Sequence, residues 1–229
     1  LHKNNFLTKL VTRIYEDSDL PIKNYCLSIL NRGKVLVKVL FASTHNNSFF
    51  KKIRWHLETS NWVQKKLQEL SRNQLLYHST TAYVTNNSKQ IDLLQEYFIP
   101  ISRFNEFVLF LQSLEPEISP HLMNITVRQV GQDNETLLNY AKNDMICFVM
   151  FFRGSRNKRF DQIIKRVAIK MTDKAIELNG SYYLPYRPYQ TKRQFSKAYE
   201  KLQQFKAVKK HYDPKNIFIN QFYQNYISD

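Results

Sequence analysis

The chain has 229 residues, 43% of them hydrophobic, which is enough to bury a sizeable core. Its 34 Lys and Arg against 19 Asp and Glu leave a net charge of +15, which attracts nucleic acid, anionic lipid or an acidic partner; many of the positives alternate with Asn, Gln and Tyr, as on a solvated face. Only 4 Gly are present, with no G-x-G-x-x-G and no G-x-x-x-x-G-K, which argues against a nucleotide-phosphate cradle built by this chain.

The sequence begins at Leu1 rather than Met and has no charged stretch leading into an apolar one, so it reads as a piece of something longer or as a processed product. No apolar run reaches the length of a membrane span, and a soluble, cytoplasmic protein is expected. Cys26 and Cys147 lie far apart without a C-x-x-C, which favours buried free thiols over a disulfide and fits a reducing compartment. The 6 His show no paired ligand spacing, so no metal is expected.

In chain order, Phe6, Leu7, Leu10, Val11 and Ile14 at helical spacing predict a short helix over Leu1 to Tyr15, ended by the turn before Pro21. The β-branched run KVLVKVLF, Lys34 to Phe41, predicts a strand, and THNNS after it a loop. Ser48 to Leu76 reads as one or two helices with Phe49, Ile53, Leu57, Trp62, Val63, Leu67 and Leu70 along one stripe.

From Ile91 the pattern sharpens. Ile91 to Ile99 predicts a strand ending at Pro100, and Ser102 to Leu114 a helix with Phe104, Phe107, Val108, Leu111 and Leu114 on one side. Leu122 to Val130 alternates, with Met123, Ile125 and Val127 facing a core and Leu122, Asn124, Thr126 and Arg128 facing away. That second set suits either the floor of a polar pocket or an ordinary solvated face. MICFVMFF, residues 145–152, is apolar on both faces and belongs mid-sheet. Arg156 to Lys174 predicts a helix, and Gly180 turns into the strand SYYLPY. A helix from Gln194 to about Lys209 follows, ending at His211-Tyr212-Asp213-Pro214, and the aromatic tail KNIFINQFYQNYI needs a surface to pack on.

The order β-α-β-β-α-β predicts an α+β fold: an antiparallel sheet of split β-α-β (ferredoxin-like) type, with an N-terminal helical arm and a C-terminal helical tail. Residues 1–90 form the mainly helical segment, 91–186 the sheet, and 187–229 the C-terminal helix and tail.

The succession QEYFIP, a helix, NITVR, an Asp-bearing turn, LLNYAKNDMICFVMFF, GSYYLPY and AYEKLQQFKAVKKHYDPKNIFINQF resembles the C-terminal half of FAD-linked oxidoreductases of the vanillyl-alcohol-oxidase type. The branch it is similar to contains the sugar-alcohol, aldonolactone and decaprenylphosphoryl-ribose oxidases. The resemblance covers about Leu93 to Tyr226, and its closing K-x-x-Y-D-P then I-F-x-N is its most specific part. It implies a substrate-binding cap laid over a flavin ring, with FAD held mainly by an N-terminal domain that this chain lacks. The substrate implied is a small alcohol-type molecule whose hydride passes to the flavin, and the fragment alone is expected to be inactive.

Residue roles follow from the same resemblance. Arg128 matches an arginine facing the substrate, beside Asn124 and Thr126; its alternative is a surface pair with Asp133 or Glu135. Tyr186 takes the earlier of two places where relatives carry a lysine close to the flavin, and Lys192 lies near the later one. A tyrosine with a pKa lowered by a cation beside it can act as a base, whereas an ordinary one packs. Arg187 and Tyr189 lie in the same segment as substrate-binding candidates, with packing the alternative for Tyr189. Asn220 matches an asparagine near the cofactor, or else caps a turn. Phe148, Val149 and Met150 stand where relatives place polar or histidine side chains, and Thr126 where they carry an acid, so the resemblance implies a substrate less polar than a polyol.

Two rival readings use the charge. A split β-α-β sheet with surface aromatics can take up single-stranded RNA, but R-G-F/Y-G is missing, so no nucleic acid is expected. The basic helices could instead attach to a membrane surface, peripheral to the inner membrane. Self-association of an orphaned cap is a further expectation.

Overall fold

The computed structural model describes residues 6–16, 34–45, 47–60, 71 and 83–228. The chain divides into two units, Leu1–Ser88 with Ser119–His121, and Lys89–Ile118 with Leu122–Asp229. Cys26 and the stripe positions Trp62, Val63, Leu67 and Leu70 lie outside the described residues.

In the first unit two predictions fail. Residues 8–16 form no helix: Leu10 and Ile14 are exposed, and so short a helix has little stability without burying its apolar side. The run predicted as a strand is helix α1, Lys34–Ser43. No strand occurs among the described residues of this unit, so the segment satisfies its backbone groups internally. Phe41 is buried there, with the Arg54 guanidinium 4.7 Å from its ring centroid and Tyr83 edge-on at 5.0 Å. Helix α2, Ser48–Glu58, starts where Asn47 accepts hydrogen bonds from the amides of Phe49 and Phe50.

The second unit is the predicted split β-α-β sheet. Strand β1, Gln90–Pro100, leads through the turn Ile101–Arg103 into helix α3, Phe104–Ser113, and helix α4, Glu115–Ile118. Strands β2, Leu122–Val130, and β3, Met145–Ser155, are joined by a loop; helix α5, Lys158–Glu177, returns to β4, Ser181–Tyr182. The strand order is β2-β3-β1-β4, every neighbour antiparallel. The doubly apolar run is the central strand β3, as its composition demands. No helix among the described residues is long and apolar enough to cross a membrane.

Cross-strand partners share a face, so the registers assign two faces. Leu93, Gln95, Tyr97 and Ile99 of β1 lie with Ile146, Phe148, Met150 and Phe152 of β3 beneath the helices. Phe107 of α3 meets Phe148 at 4.9 Å between ring centroids, and Ile164, Val167 and Met171 of α5 are fully buried. Each such side chain contributes about 1.5–3 kcal/mol by leaving water. A bulge between Leu122 and Asn124 pairs Leu122 with Phe152, so Leu122 is buried instead of facing away as its parity predicts.

Helix α5 ends in a Schellman turn: Asn179, at φ 59°, donates to Ile176 O, and Gly180 N donates to Ala175 O at 2.7 Å. The predicted strand SYYLPY shortens to two residues because Tyr183 makes one more bond, to Glu96 O, before Pro185, which has no amide hydrogen, turns the chain away. The predicted helix from Gln194 is two helices, α6, Lys192–Ala198, and α7, Leu202–Tyr212. Tyr199 leaves the helical region between them, and its hydroxyl donates to Tyr182 O, so a core contact outweighs helical periodicity. Helix α8, Gln221–Tyr226, folds back, Phe222 and Tyr226 packing on Phe195 while Tyr226 Oη donates to Gln190 O. Between α7 and α8, Asp213 accepts from the amides of Ile217 and Phe218 and pairs with Lys209, while those two apolar side chains stand 70% and 80% exposed.

Candidate functional site

The face of the sheet away from the helices carries the polar constellation. By register, one row runs Thr126, Val149, Glu96, and the next Arg128, Cys147, Phe98, Ser181. Thr126 and Arg128 are exposed, Val149 and Glu96 half-buried, and Cys147 and Phe98 buried. The burial of Phe98 comes from a cluster of rings: Tyr140, from the β2–β3 loop, stacks on it at 4.4 Å, Tyr183 meets both edge-on, and Tyr186 meets Tyr183 at 5.5 Å.

Glu96 is the hub of this face. Its Oε1 accepts the phenolic hydrogen of Tyr186 at 2.6 Å, and its Oε2 accepts the thiol hydrogen of Cys147 at 3.4 Å. Burial and then the carboxylate push the Tyr186 hydroxyl well above its ordinary range; burial and Glu96 do the same to the Cys147 thiol, which Arg128 opposes. Both hold their protons and act as donors. The lowered pKa that would make Tyr186 a base is thus reversed, because its neighbour is an anion where the sequence reading placed a cation.

The predicted residues separate into two groups. Asn124, Thr126 and Arg128 share this face with Tyr186, and Asn124 Nδ2 donates to Thr126 Oγ1 at 3.0 Å. Arg128 has no carboxylate partner among the described residues: Asp133 is occupied by Thr136 and the Glu135 amide. Arg187 and Tyr189 stand elsewhere, both bonded at 2.6 Å to Oδ1 of Asp161 in the first turn of α5. The Tyr189 bond, more than the Arg187 bonds beside it, holds the Asp161 carboxyl below its usual range. Lys192 opens α6 and donates to Ser228 O at 2.7 Å, away from Tyr186's bond to Glu96. Asn220 caps α8, accepting from Tyr223 N at 2.9 Å.

Glu96 and Cys147 were missed by the sequence reading as members of the site. What the sequence offered for Glu96 was its parity alone: it lies opposite in face to Tyr97, in a strand that also carries the polar Gln95.

Comparison with curated proteins gave no match. A family model does match, over residues 4–226, and so reaches beyond the Leu93 to Tyr226 stretch that suggested a flavin-linked oxidase into the first ninety residues. With a split β-α-β sheet carrying a cation, a carboxylate and a phenol on its helix-free face, the chain belongs to the D-arabinono-1,4-lactone oxidase family, whose oxidoreductases depend on FAD.

Proposed function

We propose that this chain is the substrate-binding part of an FAD-dependent oxidoreductase, and that its helix-free sheet face is where a small hydroxyl-bearing substrate lies during oxidation of its CH–OH group to C=O. The observation that carries the reading is Arg128: a cation on the exposed edge of that face, without a carboxylate partner among the described residues, beside Thr126 and two strands from Glu96.

The residues fit an isoalloxazine-type acceptor laid on the same face. A cation near the ring favours the electron-rich reduced state, and Val149 in the middle of the Thr126 row offers a flat apolar contact. FAD, when bound, supplies the two-electron acceptor for hydride. The chain's own residues bind and orient: Arg128 holds a carbonyl or developing negative charge, Thr126 and Asn124 take further polar groups, and Tyr186 and Glu96 fix the far side. No glycine-rich pyrophosphate loop occurs in the sequence, so the flavin's phosphates are assigned to a separate N-terminal domain, the partner of this chain.

The test is the visible spectrum of the protein produced from the start of its reading frame. Flavin bands that bleach anaerobically on adding a hydroxy or lactone substrate are expected, with bleaching slowed at least tenfold in Arg128→Ala. A protein without flavin, or one whose flavin no hydroxy compound reduces, would overturn the reading.

A further inference from the structure

Glu96 shares the face with a second carboxylate, Asp92, but Asp92 is bonded to Arg153, whereas the surroundings of Glu96 are unusual for a structural acid. It is half-buried, and no Lys or Arg pairs with it among the described residues. Its hydrogen bonds come from two neutral donors, Tyr186 Oη at 2.6 Å and Cys147 Sγ at 3.4 Å, one to each oxygen. A partly buried carboxylate without a counter-cation relies on such hydrogen bonds in place of water. One donor per oxygen leaves each oxygen a second lone pair for a ligand while fixing the carboxylate's orientation.

The other candidates for accepting a proton drop out on geometry. Arg128 has no acceptor atom, Lys192 is bonded to Ser228 O, and Tyr186 keeps its proton because it donates to Glu96. The registers set Glu96 and Arg128 in adjacent rows on strands separated by β3, so they flank Val149 and Cys147 from opposite sides. A hydroxyl-bearing carbon above Val149 meets an anion on one side and a cation on the other.

We infer that Glu96 is the catalytic proton acceptor of this face: it takes the substrate's hydroxyl proton, with Tyr186 and Cys147 as the residues that position its carboxylate. This rests on the reading of the face as an oxidation site. In the step, the substrate O–H bond breaks with its proton passing to Glu96. The C–H bond on the same carbon breaks with its electron pair leaving as hydride to the flavin acceptor. The oxygen's pair closes the C=O bond, so the substrate loses two electrons and two hydrogens and Glu96 becomes a neutral acid. Arg128 faces the oxygen's developing charge while the proton is in transit.

Two measurements decide it. In this chain without flavin, ultraviolet titration is expected to show one tyrosine ionising at lower pH in Glu96→Gln than in the parent, and that difference is expected to vanish in Glu96→Gln/Tyr186→Phe. An unchanged titration would overturn the hub itself. In the flavin-loaded protein, Glu96→Gln is expected to slow anaerobic substrate-dependent flavin reduction by about a hundred- to ten-thousand-fold, flavin content unchanged, and to abolish the acid limb of its pH profile. Glu96→Asp is expected to keep that limb and recover part of the rate. A Glu96→Gln protein that reduces its flavin at the parent rate with the acid limb intact overturns the assignment and leaves the oxidase reading standing. A parent that reduces with no hydroxy substrate sinks both.

Discussion

Tyr186 donates its phenolic hydrogen to Glu96 across 2.6 Å, and so ties the turn that follows β4 to the centre of the sheet. The bond helps give the polar face its geometry, adding a side-chain tie to the short β1–β4 ladder and the bond from Tyr183 N to Glu96 O.

Tyr186→Phe removes a donor from a partly buried carboxylate and is expected to cost about 1–2 kcal/mol. Urea unfolding is the check, with the midpoint lowered at constant slope. A double-mutant cycle with Glu96→Gln should return most of that loss as coupling between the two residues.

Alkaline pH is expected to destabilise the fold steeply. Burial pushes the Tyr226 hydroxyl up to about 12 from an ordinary 10.0 and raises Tyr97, Tyr182, Tyr199 and Tyr189 as well. A pKa raised on folding means the native state holds protons that the unfolded chain releases. The contribution is therefore complete below the unfolded value and is lost as pH rises from 10.0 towards 12 and beyond. Thermal melts across that range are expected to fall progressively, and Tyr226→Phe to flatten the fall.

Two buried tyrosines are expected to respond oppositely to loss of the hydroxyl. Tyr199 donates to Tyr182 O, so Tyr199→Phe should cost about 1–2 kcal/mol by leaving that carbonyl short of a partner. The Tyr182 hydroxyl is buried with no partner among the described residues, so Tyr182→Phe is expected to be neutral or to stabilise by up to about 1 kcal/mol. Equal losses in chemical denaturation would contradict the difference.

Gly180→Ala is expected to lose about 1–3 kcal/mol. A Cβ there would lie 2.2 Å from Phe98 O and 2.9 Å from Ala175 O, both backbone atoms that cannot swing aside. The Schellman turn and the β1–β4 ladder would have to part, visible as faster amide exchange at Ser181 and Tyr182.

Much of this architecture was legible because β2, α3 and α5 each carry one unambiguous period and β3 is apolar on both faces, as a strand inside the sheet is. What was not legible has local causes. KVLVKVLF satisfies helix and strand templates alike, and only the lack of a ladder partner decides it. The continuous helix after Gln194 breaks because Tyr199 is drawn to Tyr182 O, a partner 17 residues upstream that periodicity cannot see. At the site, Arg128, Thr126 and Asn124 were readable from the parity of one strand. Glu96 was not, because its meaning depends on Tyr186 and Cys147 arriving from distant segments. Arg187 and Tyr189 were misread for the complementary reason: two residues near Tyr186 in sequence turn instead to Asp161 on α5.

The strand order also sets a sequence of events in time. Strands β2 and β3 are chain neighbours and can zip as a hairpin early, whereas β1 finds β3 only through pairs as remote as Gln90 with Ser155, and β4 adds two residues last. Glu96 reaches Cys147 at the second of these steps and Tyr186 at the third. The carboxylate hub is therefore completed only as folding finishes, and a chain stalled before that point holds Arg128 and Thr126 in register with nothing opposite them.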